Sequence, residues 1–256
     1  MKQTHLEMQK EIQRIEKEIR KIEISEHMQA YRHIQQLSLT NYAFRESYKE
    51  MMNCLDNYLD AVLDENYKHQ IFWFHYQTPE KEVYRLFLNF VSSAKTLVDH
   101  TRRMKDTLYR GCSFEVKYQE KIEGELASNP LNLFVNRLRN FMVHYRFPYI
   151  SWQLKASPTE TRMRLIISKP DLIGASFDWG KGAKAYIEAQ EDPIFMDSLI
   201  EKYYLLIDNF HLWLSGCQKE MHQSEYSWML DELQSLYQEL GRLKHLQALR
   251  SRKQIF

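Results

Sequence analysis

Glycine and proline, the residues that most often interrupt regular structure, are scarce in this sequence. The 256 residues include only 7 Gly and 6 Pro. That is about 5% of the chain, against roughly 12% in average usage. The first proline is Pro79 and the first glycine is Gly111, so neither residue type occurs before position 79. A long stretch without these breakers is difficult to build from strands and turns. The sequence therefore predicts an all-α fold.

The charge balance and the N-terminal sequence limit the compartment and the class of partner. The chain carries 35 Lys and Arg against 34 Asp and Glu, a net charge of +1, so no global field draws it to nucleic acid or to a membrane. The charged N-terminus has no apolar signal-peptide region, and no run of 18 apolar residues exists. Three scattered cysteines without a Cys-x-x-Cys pair indicate a reducing compartment. We expect a cytoplasmic protein with no membrane contact.

Metal and cofactor motifs are missing from the sequence. Ten histidines are present, but none shows zinc-like spacing with cysteine partners. No glycine-rich phosphate loop occurs either. We therefore expect neither a metal nor a cofactor.

Narrow apolar stripes mark the two ends of the chain. Heptad spacing predicts long coiled-coil-like helices near residues 4–24 and from residue 226 onward. The stripes are Met8, Ile12, Ile15, Ile19 and Ile22 at the N-terminus, and Tyr226, Met229, Leu233, Leu236, Leu240 and Leu243 at the C-terminus. A single apolar stripe of this kind must pack against another helix to be stable. One prediction is that the two terminal helices pack on each other, and the alternative is self-association between chains. The predicted organisation is an N-terminal helix over 1–40, a helical domain over 41–215, and an amphipathic helix with a basic tail over 216–256.

The helical domain contains one β signal and one glycine-rich segment. Apolar residues alternate on both sides of a Ser-Pro turn, which predicts a small β-hairpin near 149–168. Three glycines between residues 174 and 184 indicate a loop.

A helix over 130–147 carries the strongest candidate chemistry. Asn129 is placed to cap it and Pro130 to begin it. At about 100° per residue, Asn140 and His144 share one outward strip, and the long Arg139 side chain lies beside them. Leu133 and Val143 lie on the same strip, which suggests contact with another chain or element.

Arginine, asparagine and histidine together are sufficient for metal-independent RNA cleavage. Histidine titrates near neutrality and serves as general base or acid. Arginine holds phosphate through a bidentate fork and stabilises developing negative charge. On spacing alone, a structural surface or interface pair is the alternative interpretation.

The segment LRNFMVHYRFP resembles the signature of the HEPN superfamily, which is Arg, a polar residue and then His. Arg139, Asn140 and His144 match it with four residues between Arg and His. The resemblance extends over roughly residues 40–215 through LVDHTRR at 97–103, NPL at 129–131, the hairpin, and IEKYYLLIDNFHLWL at 200–214. It implies a helical bundle that forms a homodimer with a composite ribonuclease site. Many members of the superfamily are toxins or phage-defence effectors.

These observations lead to one functional expectation and two alternatives. We expect a HEPN-like endoribonuclease with catalytic Arg139, His144 and Asn140. Further RNA contacts are expected from Arg102, Arg103, Tyr145 and Arg146. The expected partners are RNA, a second copy of the chain, and an antitoxin or defence-system protein. One alternative is a non-catalytic HEPN-like module that binds nucleic acid, nucleotide or a protein. The other is a helical scaffold in which the motif is only a dimer contact.

Overall fold

The computed structural model describes residues 5–58, 60, 79–156 and 161–253, and helices dominate these residues. Residues Glu123–Ala127 form a short π-helical segment directly after the helix Ser113–Ile122. The other elements in chain order are α1 (His5–Glu23), α2 (Glu26–Asp56), α3 (Pro79–Leu108), α4 (Ser113–Ile122), α5 (Pro130–His144), β1 (Ile150–Ala156), β2 (Thr161–Ile167), α6 (Lys169–Gly174), α7 (Gly180–Ala189), β3 (Ile194–Phe195) and α8 (Met196–Lys253). The all-α prediction with a small hairpin is confirmed.

Two compact units make up the chain. The terminal unit contains residues 1–36 and 212–256, and the central unit contains residues 37–211. Helices α2 and α8 each contribute one part to each unit. Among the described residues, no helix is both long enough and apolar enough to cross a membrane.

The apolar stripes of α1 and α8 form the core of the terminal unit. Ile15 is completely buried, and Met229 and Leu243 belong to the same apolar cluster. The Tyr237 hydroxyl donates to Glu23 Oε1 at 2.6 Å, and Lys244 Nζ lies 2.8 Å from Glu16 Oε1. Moving forward along α8 from Tyr237 to Lys244 corresponds to moving back along α1 from Glu23 to Glu16, so the two helices run antiparallel. The predicted packing of the two stripes on each other is confirmed.

The basic tail is partly engaged within the terminal unit. Lys244 is paired with Glu16, and Arg242 NH2 lies 3.9 Å from Glu239 Oε1. The side chains of Arg250, Arg252 and Lys253 lie outside the described part of the chain.

The hairpin forms where the alternating pattern predicts it. Strands β1 and β2 pair antiparallel with Ile150 opposite Ile167 and Trp152 opposite Leu165. Strand β3 adds to β2, so β1 is an edge strand of a three-stranded sheet. The central unit packs α5 against α3 and α7, which leaves the end of α5 close in sequence to the sheet.

The loop predicted between residues 174 and 184 is shorter than expected: only residues 175–179 are irregular, because Gly174 ends α6 and Gly180–Ala189 folds as α7. Gly182 explains the difference. A Cβ at that position would overlap Leu133 Cδ1, and the Leu133 Cβ and Cγ atoms would lie 3.5 Å away. Glycine here permits close approach of α5 and α7. Leu133, expected to contact another chain or element, thus contacts an element of its own chain.

Candidate functional site

The ends of α5 determine where the Arg-Asn-His motif lies. The Asn129 side chain accepts hydrogen bonds from Leu131 N at 3.0 Å and Asn132 N at 3.3 Å, which satisfies two otherwise unpaired helix donors. Pro130 occupies the first turn, as predicted. The helix ends at His144, so the motif covers its last turn and a half.

One face of α5 is buried and holds the motif in place. Phe134, Leu138 and Phe141 have no exposed side-chain surface. Phe141 also meets the Trp179 ring at 5.0 Å between centroids. Burying large apolar side chains contributes about 1.5–3 kcal/mol each. The position of the motif is therefore set by a packed core rather than by the motif residues themselves.

Arg139 and Asn140 contact each other directly. Arg139 NH1 donates to Asn140 Oδ1 at 3.3 Å. Arg139 Nε is buried and has no hydrogen-bond acceptor among the described residues. A buried donor without an acceptor costs about 1–3 kcal/mol, so this conformation leaves Arg139 with an unsatisfied N–H.

His144 stands apart from this pair within a single chain. It is exposed at the last position of α5. Within the described ranges, its ring makes no hydrogen bond or ion pair. The structure therefore brings two of the three predicted catalytic residues into contact and leaves the third accessible on the adjoining surface.

Arg146 is held by a carboxylate of its own chain. Its NH2 and NH1 atoms donate to Asp171 Oδ1 and Oδ2 at 2.7 and 3.1 Å, a bidentate pair. Its guanidinium carbon lies 5.2 Å from the centre of the Phe141 ring. The hydrogen bond from Arg146 lowers the pKa of the Asp171 carboxyl, with a further contribution from the Tyr149 backbone N–H. Arg146 therefore orders the segment that follows His144.

Tyr145 caps the end of α5 and is about half exposed. Its ring meets the Phe141 and Phe177 rings at 5.2 and 5.9 Å between centroids. One face of the ring is thus packed, while the remainder faces solvent. Its RNA-binding role stays a prediction.

The two arginines of α3 lie in different surroundings. Arg102 is exposed and lines a cavity in the central unit together with Asn132 and Asn136 of α5. Arg103 is exposed and does not line that cavity. His100, which precedes them, lies 2.8 Å from Thr40 Oγ1 through its Nδ1 atom. Only Arg102 thus shares a cavity lining with α5, about one turn before the motif.

Sequence patterns did not single out Asn132, Asn136 or His211, which line this cavity. The two asparagines are four residues apart on α5, so they lie on one face, which is a weak signal. His211 is remote in sequence, and its burial lowers its pKa to about 4, with a smaller contribution from the charge of Arg45. Nothing local to His211 predicts that environment.

Neither a metal cluster nor a known relative assigns a chemistry to these residues. In the part of the chain that the structure describes, no group of three or more His, Cys, Asp or Glu side chains is arranged to hold a metal ion. A scan against protein-family models, a search of curated proteins and a search of solved structures found no significant match to this chain.

Proposed function

We propose that this chain is a HEPN-like, metal-independent endoribonuclease in which Arg139, Asn140 and His144 act on RNA. The observation that carries the proposal is the buried, unsatisfied Nε of Arg139 beside the Asn140 contact. If the Arg139 side chain turns toward the surface, this donor can give a phosphate oxygen a charge-assisted hydrogen bond, which is about twice as strong as a neutral one. Arg139 therefore has an unused donor of the kind that phosphate binding requires.

The three residues suit a single transfer reaction. The His144 imidazole accepts the proton of a 2′-hydroxyl, and the 2′ oxygen forms a bond to the adjacent phosphorus. The bond from phosphorus to the 5′ oxygen breaks, and that oxygen takes up a proton from an imidazolium. Arg139 stabilises the negative charge that develops on the phosphoryl oxygens. The products are a 2′,3′-cyclic phosphate and a 5′-hydroxyl.

A second copy of the chain would complete the site. His144 makes no hydrogen bond with Arg139 in one chain, and exposed apolar side chains follow the motif, including Tyr145, Tyr149 and Trp152. Exposed apolar surface of this kind is typical of an interface. In the proposed homodimer this surface is covered, and the two Arg139 and His144 pairs face one shared cleft.

The second candidate is a non-catalytic HEPN-like module that binds nucleic acid, nucleotide or a protein. It is favoured because His144 makes no hydrogen bond or ion pair with any described residue, so nothing in one chain orients its imidazole as a general base. A toxin or defence role, with an antitoxin or defence protein as partner, remains part of the first candidate.

The test is cleavage of a mixed-sequence RNA by purified protein in EDTA. We expect cyclic-phosphate products, no cleavage of the matching DNA, and a rate lowered about 100-fold or more by His144→Ala. Arg139→Lys should also lose activity, because an ammonium cannot reproduce the guanidinium fork. His245→Ala and Arg137→Lys are the matched controls, since His245 is an exposed histidine of α8 and Arg137 faces Asp178.

Two results would favour the non-catalytic module. One is full cleavage by the His144→Ala protein, which would trace the activity to a contaminant or to other residues. The other is no cleavage of any RNA by the wild-type protein across a range of concentrations that includes its dimer. Retained RNA binding in that second case would identify the module directly.

A further inference from the structure

The central unit contains a cavity that the proposed cleavage reaction does not use. It has a volume of about 380 Å³ and lies among α3, α4, the π-helical segment, α5 and α8. Small-molecule sites in proteins begin at about 300 Å³ and often lie between the helices of a bundle. Neither Arg139 nor His144 lines it. The cavity is therefore a separate candidate site.

One side of the cavity is apolar and suits a flat ligand. Val98, Ile207 and Phe210 contribute to this wall. The Phe210 ring meets the Tyr118 ring edge-on, with 5.8 Å between centroids. Leu126 reaches the cavity from the π-helical segment, a feature that is frequent at functional sites. An aromatic ring is the ligand group that such a wall accommodates best.

The polar side of the cavity carries one arginine that makes no ion pair, beside a lysine that is shared by two carboxylates, so the local charges balance. Lys105 is paired with Asp106 and Glu115, at 2.6 and 3.0 Å. Arg102, by contrast, has no hydrogen bond or ion pair with any residue in the described ranges. Burial raises the pKa of Tyr118, and the positive charge of Arg102 opposes that rise. The free guanidinium thus lies close to the phenol that forms part of the lining.

The polar lining also contains an amide oxygen that can accept a hydrogen bond from a ligand. Asn136 Nδ2 donates to Asn132 O at 2.8 Å and to Asn132 Oδ1 at 3.0 Å, so both of its donors are used. Asn132 Nδ2 donates to Leu126 O at 2.9 Å, which fixes the orientation of the pair. These bonds leave Asn136 Oδ1 as a fixed acceptor for a donor on the ligand.

We propose that this cavity binds a small aromatic anion, a carboxylate or a phosphate monoester, whose charged group pairs with Arg102. The ring lies against Val98 and Phe210, and a donor on the ring meets Asn136. The pairing with Arg102 is favourable because both partners meet at the edge of a cavity with one apolar side, where water screens them less than on an open surface. The proposal does not involve Arg139 or His144, and it assigns Arg102 to this ligand rather than to the RNA contact that the sequence predicts.

The experiment measures calorimetric binding of 1-naphthyl phosphate to the full chain, with 1-naphthol as the uncharged probe. We expect saturable one-to-one binding of the phosphate. Arg102→Gln should weaken it about tenfold or more, since a hydrogen bond to a charged group contributes about 1.5–3 kcal/mol. Arg103→Gln, the adjacent arginine outside the cavity, should bind within about twofold of wild type. The affinity for 1-naphthol should be the same in all three proteins.

A cavity-filling variant separates a built site from general attraction to positive charge. Val98→Phe retains Arg102 but occupies the apolar wall, and it should abolish binding while it keeps the helical circular dichroism of wild type. Absence of saturable binding by wild type overturns the proposal. Equal weakening by Arg102→Gln and Arg103→Gln, or full affinity in a folded Val98→Phe protein, also overturns it. His144→Ala should bind the probe normally whether or not the chain cleaves RNA.

Discussion

Acidification should destabilise the central unit through His211. This side chain is 6% exposed, and Thr101 Oγ1 lies 3.5 Å from its Nε2 atom. Burial lowers the pKa of His211 from 6.5 to about 4. The unfolded chain therefore binds a proton on this residue at a pH where the folded chain does not. The contribution of His211 to the free energy of unfolding is therefore fully present above about pH 6.5, and it is lost as the pH decreases toward 4.

The size of the effect follows from the difference between the two pKa values. One pH unit corresponds to about 1.4 kcal/mol, so a difference of roughly 2.5 units corresponds to about 3 kcal/mol of the free energy of unfolding. That amount is a large fraction of the 5–15 kcal/mol that is typical of a folded protein. Most of it should be lost between pH 6.5 and pH 4.

The assay is urea unfolding at several pH values across this interval, for wild type and His211→Gln. Carboxylates titrate in both proteins, so the difference between the two pH profiles isolates His211. We expect the wild-type free energy to fall about 3 kcal/mol further than that of His211→Gln. His245→Gln removes an exposed histidine and should follow wild type. Parallel profiles for wild type and His211→Gln would show that the imidazole is not held neutral by burial.

Two other predictions concern packing. Gly182→Ala should lower the free energy of unfolding by about 1 kcal/mol in urea titrations, because the overlap of the added methyl group with Leu133 Cδ1 outweighs the gain in helix propensity. Adding Leu133→Ala should relieve this overlap. A more stable single variant would contradict the close approach of α5 and α7. Replacing both Ile15 and Ile19 by Asp should expose the C-terminal part of α8 to protease, because the two new charges lie in the buried core of the terminal unit. Unchanged protease resistance around Leu233 would contradict the pairing of α1 with α8.

Local signals in the sequence predicted the elements that carry the candidate site. The Asn129-Pro130 pair marked the start of α5, because capping and the first helical turn involve only neighbouring residues. The heptad stripes predicted α1, the end of α8 and their packing, since a 3.5-residue period leaves one apolar face to cover. The contact between Arg139 and Asn140 also joins adjacent residues.

Local sequence patterns could not predict contacts between residues that are distant in the sequence. The glycines of α7 predicted a loop from composition alone. The reason for Gly182 is its close approach to Leu133, which lies about 50 positions earlier in the sequence. Arg146 was predicted to contact RNA, but its guanidinium makes a bidentate pair with Asp171. In both cases, the deciding neighbour lies on another element, and its distance depends on how the whole unit packs.

The sequence by itself determined that this chain is helical, where α5 begins, and which face of α5 carries Arg139, Asn140 and His144. These properties depend on residues within about four positions of one another, where the helical period is sufficient. Only the tertiary structure decided that Arg102, Asn136 and His211 line one cavity. These residues come from α3, α5 and α8, and the same packing that brings the three helices together buries His211 and lowers its pKa.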